Sequence, residues 1–190
     1  MIIVTAERLL EDVRSKRPDA VFVPNGVDVP YILSRRPEEG QIAPEDWKTV
    51  ARSGKPVIGY SGSMAERFDY DLMRYLVENR PDLQFVLIGV SYDGSLERSG
   101  LLKAGYKNLL WLGMKPYNEL FPYMWRFDAG IIPFKINEIT QATTSIKLFE
   151  YMASGLPTVT VPIWPLTEIV REGQEGLFAR ERDPGDLARL

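Results

Sequence analysis

Residues 140–162, TQATTSIKLFEYMASGLPTVTVP, decide how this chain is read. The stretch opens with short hydroxyl side chains and becomes an apolar run carrying Lys147 and Glu150 one helical turn apart. It then breaks at Ser154-Gly155 and ends in the β-branched segment PTVTVP. Small polar residues precede a helix, Gly follows its last turn, and a continuous apolar run bounded by Pro reads as a buried strand. The sequence therefore predicts loop, helix, turn and strand in that order.

The same unit recurs on either side. PVIGYSG, LQFVLIGV, LLWLG, AGIIPF and EGLFA read as further strands. DYDLMRYLVENRPD, PYNELFPYMWRFD and LTEIVREG read as helices between them, with Leu72, Tyr75, Leu76 and Asn79 along one side of the first. Residues 91–108 read as a loop with a helical turn, and DPGDLARL as the start of a final helix. Near the N-terminus, TAERLLEDVRSKRPD has Leu9, Leu10 and Val13 at helical spacing, with Thr5 as its N-cap. AVFVP is a short strand, NGVD a turn, residues 29–46 a surface connection, and PEDWKTVARSG a short helix. Because the strands are continuous apolar runs rather than alternating ones, they are buried on both faces. The predicted fold class is α/β, a Rossmann-like doubly wound parallel sheet with helices on both faces.

Composition narrows the chemistry. The 190 residues carry 23 Lys and Arg against 26 Asp and Glu, a net charge of −3, which argues against a general nucleic-acid surface. There is no Cys and no His. Disulfides, thiolate nucleophiles, imidazole bases and Cys or His metal sites are thereby excluded. Catalysis by this chain rests on carboxylates, Lys, Arg, Tyr or backbone dipoles.

Ligands of a doubly wound sheet bind beyond the carboxyl ends of the strands. The loops there are 61–67, 89–94, 113–115, 134–145 and 163–167. In the fourth, the first free amides of the following helix fall near Thr144, Ser145, Ile146 and Lys147, a place suited to phosphate, and the Lys147 ammonium adds charge. Glu150, one turn deeper, suits a ribose diol. The alternative is plain capping by Thr144 or Ser145, with Lys147 and Glu150 paired on a solvated face. In YSGSMAERF, Ser61, Gly62 and Ser63 can offer amides to a diphosphate and Arg67 a guanidinium fork; the alternative is a turn with Arg67 in solvent. Asp69 in the DYD at 69–71 is assigned to helix capping rather than metal binding. Trp111, Tyr117, Phe121, Trp125 and Phe127 read mostly as core, Met114 as a contact for a planar base, Asn25 and Gly26 as turn formers, and Trp164 as a weaker binding candidate.

VFVPNGVD, VIGYSGSM, FVLIG, LLWLGMKPYNELFPYM, GIIPFK, SIKLFEYMASGLPTVTVP, EIV and EGLFA occur in the order seen in the C-terminal half of group 1, family 4-like glycosyltransferases. The chain resembles their teichuronic-acid-type branch. The resemblance implies one lobe of a GT-B fold, with residues 1–19 a remnant of the N-terminal lobe or interdomain helix and residues 20–190 the nucleotide-sugar donor domain, truncated at its C-terminus. It implies a cytoplasmic enzyme, with the inner membrane face as an alternative. Such an enzyme would move a hexose-type sugar from a UDP-sugar to a glycan or lipid-linked acceptor in cell-surface polysaccharide synthesis.

By the same resemblance the mechanism is retaining and metal-independent, no cofactor is needed, and the acceptor lobe lies outside this chain, leaving it inactive alone. Lys147 and Glu150 become the catalytic pair. Ser61, Gly62, Ser63, Arg67, Gly89, Met114, Thr143, Thr144, Ser145 and Ile146 become the donor contacts. Glu150 matches the second Glu of the family's paired-Glu element, but the first falls on Ala142. A non-catalytic nucleotide-binding or scaffolding module on the same fold is the competing reading. A receiver-like domain lacks its acidic cluster and partner Lys.

Overall fold

Strand β3 (Val57–Ser61) occupies the middle of a six-stranded, wholly parallel sheet ordered β5-β4-β3-β6-β7-β8. The computed structural model describes residues 1–38, 40–179 and 185–186. The other strands of this sheet are β4 (Gln84–Ile88), β5 (Leu109–Trp111), β6 (Ala129–Ile132), β7 (Thr158–Thr160) and β8 (Gly176–Phe178). Every residue of β4 is buried. Successive side chains point to opposite faces of a strand, so both faces of the sheet are covered there. The chain winds outward from β3 to one edge, then returns to β6 and winds to the other. This reversal leaves a crevice between the carboxyl ends of β3 and β6.

The predicted α/β, Rossmann-like parallel sheet is thus observed, and its helices fall between the strands where the periodicity put them. These are α4 (Tyr70–Asn79), α6 (Tyr117–Met124), α8 (Ile146–Ala153) and α9 (Trp164–Thr167), with α5 (Ser95–Ser99) and a 3₁₀ turn (Leu102–Ala104) in the loop before β5. Asp69 caps α4, its carboxylate accepting the Leu72 amide proton at 2.9 Å. Met73 and Val77 join Leu72 and Leu76 in the core, whereas Tyr75 is exposed. The helix expected over LTEIVREG is mostly not formed: α9 begins earlier, with Pro165 in its first turn where a missing N–H is harmless, and ends at Thr167, so residues 168–173 are not helical. The helix expected at 183–190 lies, except for residues 185–186, outside the described residues.

Outside this sheet, β1 (Ile3–Val4) and β2 (Val21–Phe22) form a separate parallel pair linked by α1 (Glu7–Arg14). The N-cap of α1 is Ala6, not Thr5, and no residue of the helix is buried. Residues 29–46 are not wholly a connection. They contain α2 (Val29–Ser34), which starts because Asp28 accepts the Tyr31 amide proton at 2.9 Å and Pro30 lies in the first turn. A 3₁₀ turn (Glu45–Trp47) and α3 (Lys48–Ala51) follow. The segment before α8 also hides a short helix, α7 (Glu138–Gln141), closed by a reciprocal cap between Asn137 and Thr140.

Core packing locks α8 onto the crevice. Gly130 in β6 has the Tyr151 ring against it, and a Cβ at that position would lie 2.5 Å from the ring. The hydroxyl of Tyr151, fully buried, accepts the Ser61 amide proton at 3.0 Å. One aromatic side chain therefore fixes the helix against β6 and against the end of β3 together.

Candidate functional site

The crevice between β3 and β6 is lined by the loop after β3, the loop after β4 and the first turn of α8. Gly62 has φ 132° and Gly89 φ 135°, a region open to Gly alone. A Cβ on Gly89 would lie 2.0 Å from the Gly62 carbonyl oxygen. A Cβ on Gly62 would lie 3.0 Å from Lys147 Cε and 3.2 Å from its Nζ. The two glycines therefore allow the two loops and the Lys147 ammonium to converge.

Lys147 is buried, with 9% of its surface exposed. Its Nζ lies 4.9 Å from the centre of the Phe134 ring, 5.2 Å from that of Tyr60 and 3.5 Å from Ser145 Oγ. No carboxylate forms an ion pair with it among the described residues. Burial and the nearby Arg67 charge push its pKa down to about 8, and Glu150 opposes them weakly. Arg67 lies over the same Phe134 ring at 5.4 Å, and its buried Nε has no hydrogen-bond partner. Two cations thus share one aromatic wall, and neither forms an ion pair among the described residues.

The first turn of α8 supplies donors. Ser145 is its N-cap but makes no side-chain cap, so the capping alternative is not realised. The amides of Thr144 and Ser145 have no acceptor among the described residues, and those of Ile146 and Lys147 have none within the helix. The solvated Lys147–Glu150 pair is not realised either, since both side chains are buried. Burial raises the Glu150 pKa, while Lys147 and Tyr117 pull it down. Tyr117, beside Glu150, is pushed up to about 12 by partial desolvation and by that carboxylate.

The remaining predicted contacts divide. Ser61 is buried with its amide given to Tyr151, and the Gly62 amide donates to the Ile88 carbonyl at 2.9 Å, so neither is free for a diphosphate. Of that trio only Ser63 keeps a free amide among the described residues, and its carbonyl accepts the Tyr60 hydroxyl proton at 2.7 Å. Arg67 is half-buried against Phe134 rather than in solvent. Thr143 is exposed with its hydroxyl turned back to the Ile139 carbonyl at 2.6 Å, and the Ile146 side chain is 49% exposed. Neither side chain is held in the crevice by a contact.

Gly62, Ser63, Gly89 and Met114 line one cavity of about 150 Å³ with Ile88, Val90, Tyr92, Lys115 and Leu120. Met114 and Tyr92 are both largely exposed on it, presenting flat or polarisable surface to a planar group. Lys115 is anchored by Asp46 at 2.5 Å, and Asp46 also accepts the Tyr123 hydroxyl proton at 2.8 Å. Of the aromatics read as core, Phe121 and Phe127 are buried, but Trp111 and Tyr117 are exposed.

Sequence reasoning missed Tyr60, Phe134, Tyr92, Tyr117 and Asn25. Tyr60 and Phe134 sit at the ends of apolar runs, where an aromatic reads as core. Asn25 does not serve a tight Gly turn, since Gly26 lacks positive φ; its side chain reaches Thr144 instead.

A crevice at the strand reversal, two cations without an ion pair among the described residues and free helix amides suit a diphosphate group. A protein of Bacillus subtilis (strain 168) named for teichuronic acid biosynthesis, the glycosyltransferase TuaH, is 31% identical over 104 residues, covering 54% of this chain and 26% of that protein. The fold is similar to that of HepE from Anabaena, solved with UDP-glucose, at TM-score 0.69 and 14% identity over 100% of this chain and 52% of that one. It is also similar to a glycosyltransferase from Rickettsia africae ESF-5, at TM-score 0.70 and 13% identity over 98% and 51% of the two chains. The chain thus spans about half the length of these solved relatives. The family model for group 1 glycosyl transferases matches residues 55–190, and the chain belongs to that family.

Proposed function

We propose that this chain is the nucleotide-sugar donor lobe of a glycosyltransferase, with a UDP-sugar as donor. The observation that carries the proposal is Lys147: a buried ammonium that forms no ion pair among the described residues, beside Gly62 and at the N-terminus of α8. An unpaired buried charge is unfavourable unless something of opposite sign completes it. A diphosphate would do so, taking the Ser63, Thr144, Ser145, Ile146 and Lys147 amides together with the Lys147 and Arg67 side chains. Glu150 would hold the ribose diol, and the cavity between Tyr92 and Met114 would take the base.

As the bond between sugar and diphosphate breaks, negative charge grows on the leaving phosphate. Amides and an ammonium already pointed at that position stabilise it without reorganising, so the reading needs no metal and no cofactor. HepE and its UDP-glucose complex support UDP as the nucleotide. We further propose a retaining mechanism, transfer of a hexose-type sugar to a glycan or lipid-linked acceptor of a surface polysaccharide, and an acceptor lobe supplied by further chain. In that arrangement residues 1–19 would belong to the preceding lobe or the interdomain helix. Among the described residues no helix is long and apolar enough to cross a membrane, and a cytoplasmic or peripheral membrane location belongs to the same proposal.

The test is an NMR titration with UDP, GDP and ADP. The expected result is saturable binding in the micromolar to millimolar range, tightest for UDP and lost in Lys147→Ala. No response to any of the nucleotides would overturn the proposal. Ala142 favours one second reading, a non-catalytic nucleotide-binding module, because the acid that the family pattern places there is absent. Full-length protein that binds donor without hydrolysing or transferring it would favour that reading.

A further inference from the structure

We infer that Asn25 is a positioning residue for the anion-binding turn ahead of α8, an inference that rests on the donor-site reading above. Its side-chain Nδ2 donates to the Thr144 carbonyl at 2.8 Å, across 119 residues of sequence. Thr144 and Ser145 share one peptide unit. In a planar trans peptide the C=O and the N–H point in opposite directions. Holding the Thr144 carbonyl toward Asn25 therefore aims the Ser145 N–H the other way. That N–H has no acceptor among the described residues.

Without this bond the peptide between Thr144 and Ser145 has no other hydrogen bond among the described residues to hold its orientation. It lies between α7 and α8, and Thr143, just ahead of it, is exposed. Free rotation there would blur the donor geometry that a diphosphate needs, because preorganised amides are worth more than amides ordered during binding. The chemistry requires Asn rather than Asp. Only the amide can donate to a carbonyl, and a carboxylate here would also set a negative charge beside the anion turn.

The anchor comes from outside the six-stranded sheet. Asn25 follows β2, and the helix after it, α2, places Tyr31 parallel to Tyr117 with ring centres 6.1 Å apart. Tyr117 in turn stands beside Glu150. One segment therefore reaches both the phosphate end and the ribose end of the proposed site.

The test compares wild type, Asn25→Ala and Asn25→Asp by NMR titration with UDP and with uridine, which lacks phosphate. If Asn25 positions the turn, UDP binding weakens by about 3- to 10-fold in Asn25→Ala, the worth of one hydrogen bond, and by more in Asn25→Asp. Uridine binding and the melting temperature stay close to wild type, and the Ser145 amide resonance of the free protein moves. Equal loss for UDP and uridine, or no loss for either, overturns the inference. UDP binding that depends on Lys147 but not on Asn25 rejects this inference alone. Absence of UDP binding by the wild type rejects the donor-site reading and this inference with it.

Discussion

The Lys147 ammonium stands 4.9 Å from the centre of the Phe134 ring, so a helix-borne cation is held against the strand end across the crevice. A cation over an aromatic face recovers part of its lost hydration, but much less than a carboxylate would return. Removing the charge while keeping the length should therefore relieve the fold and harm the site. Lys147→Met is expected to raise stability by about 1–3 kcal/mol, seen as a higher melting temperature, and to weaken UDP binding at least about tenfold. Lower stability together with unchanged UDP affinity would contradict both halves.

The same residue dictates a pH dependence. Its pKa falls from 10.5 to about 8 on folding. Between those values the unfolded chain holds a proton that the folded chain has released, so this group makes stability rise with pH across that window. Below about pH 8 its charging is a constant penalty on the fold. Wild type minus Lys147→Met stability, measured by urea titration at several pH values, should narrow steadily from pH 8 upward. UDP affinity should move oppositely, declining once the ammonium is lost.

Gly62 and Gly89 are predicted to tolerate substitution unequally. Both have left-handed φ, which costs about 1–3 kcal/mol for another residue. At Gly62 the added methyl meets the flexible end of Lys147, which can yield. At Gly89 it meets the Gly62 carbonyl, which cannot. Gly89→Ala should therefore destabilise more than Gly62→Ala in denaturant unfolding, while Gly62→Ala should mainly displace Lys147 and weaken UDP binding.

Tyr151→Phe keeps the ring that packs on Gly130 and deletes the hydroxyl that accepts the Ser61 amide proton and, at 3.4 Å, the Ser61 hydroxyl proton. A buried N–H left without a partner costs about 1–3 kcal/mol. The variant should fold, lose about that much stability in denaturant unfolding, and show an altered Ser61 amide resonance. Unchanged stability would mean that the Ser61 amide finds another acceptor.

Glu150 tests the sugar end. If its carboxylate grips the ribose diol, Glu150→Gln should weaken UDP more than 2′-deoxy-UDP, since the deoxy ligand has already lost one of the two donors. Calorimetry with both ligands checks this, and equal losses would place Glu150 elsewhere in the site.

The strands and the loops at their carboxyl ends were legible in the residues, because continuous apolar runs and Gly breaks are local signals. Burial on both faces holds for β4 but not for the edge strand β5, whose residues are half-buried or exposed, because strand order decides which runs end up at an edge. PVIGYSG and LQFVLIG each encode a strand and a glycine exit without reference to any partner. The short helix Glu138–Gln141 and the helix at Val29–Ser34 were not legible, because each is held by a cap in a segment too short for periodicity to register.

By itself the sequence determined the α/β class, the order of its units and the helix on which Lys147 and Glu150 ride. Tertiary structure alone decided which of the loop amides remained free, that Lys147 is buried between Tyr60 and Phe134, and that Asn25 holds Thr144 from 119 residues away. The physical reason is that hydrophobic period and backbone preference are properties of neighbours in the chain. A hydrogen-bond partner or an aromatic wall is set by strand order, and strand order exists only once the sheet has formed.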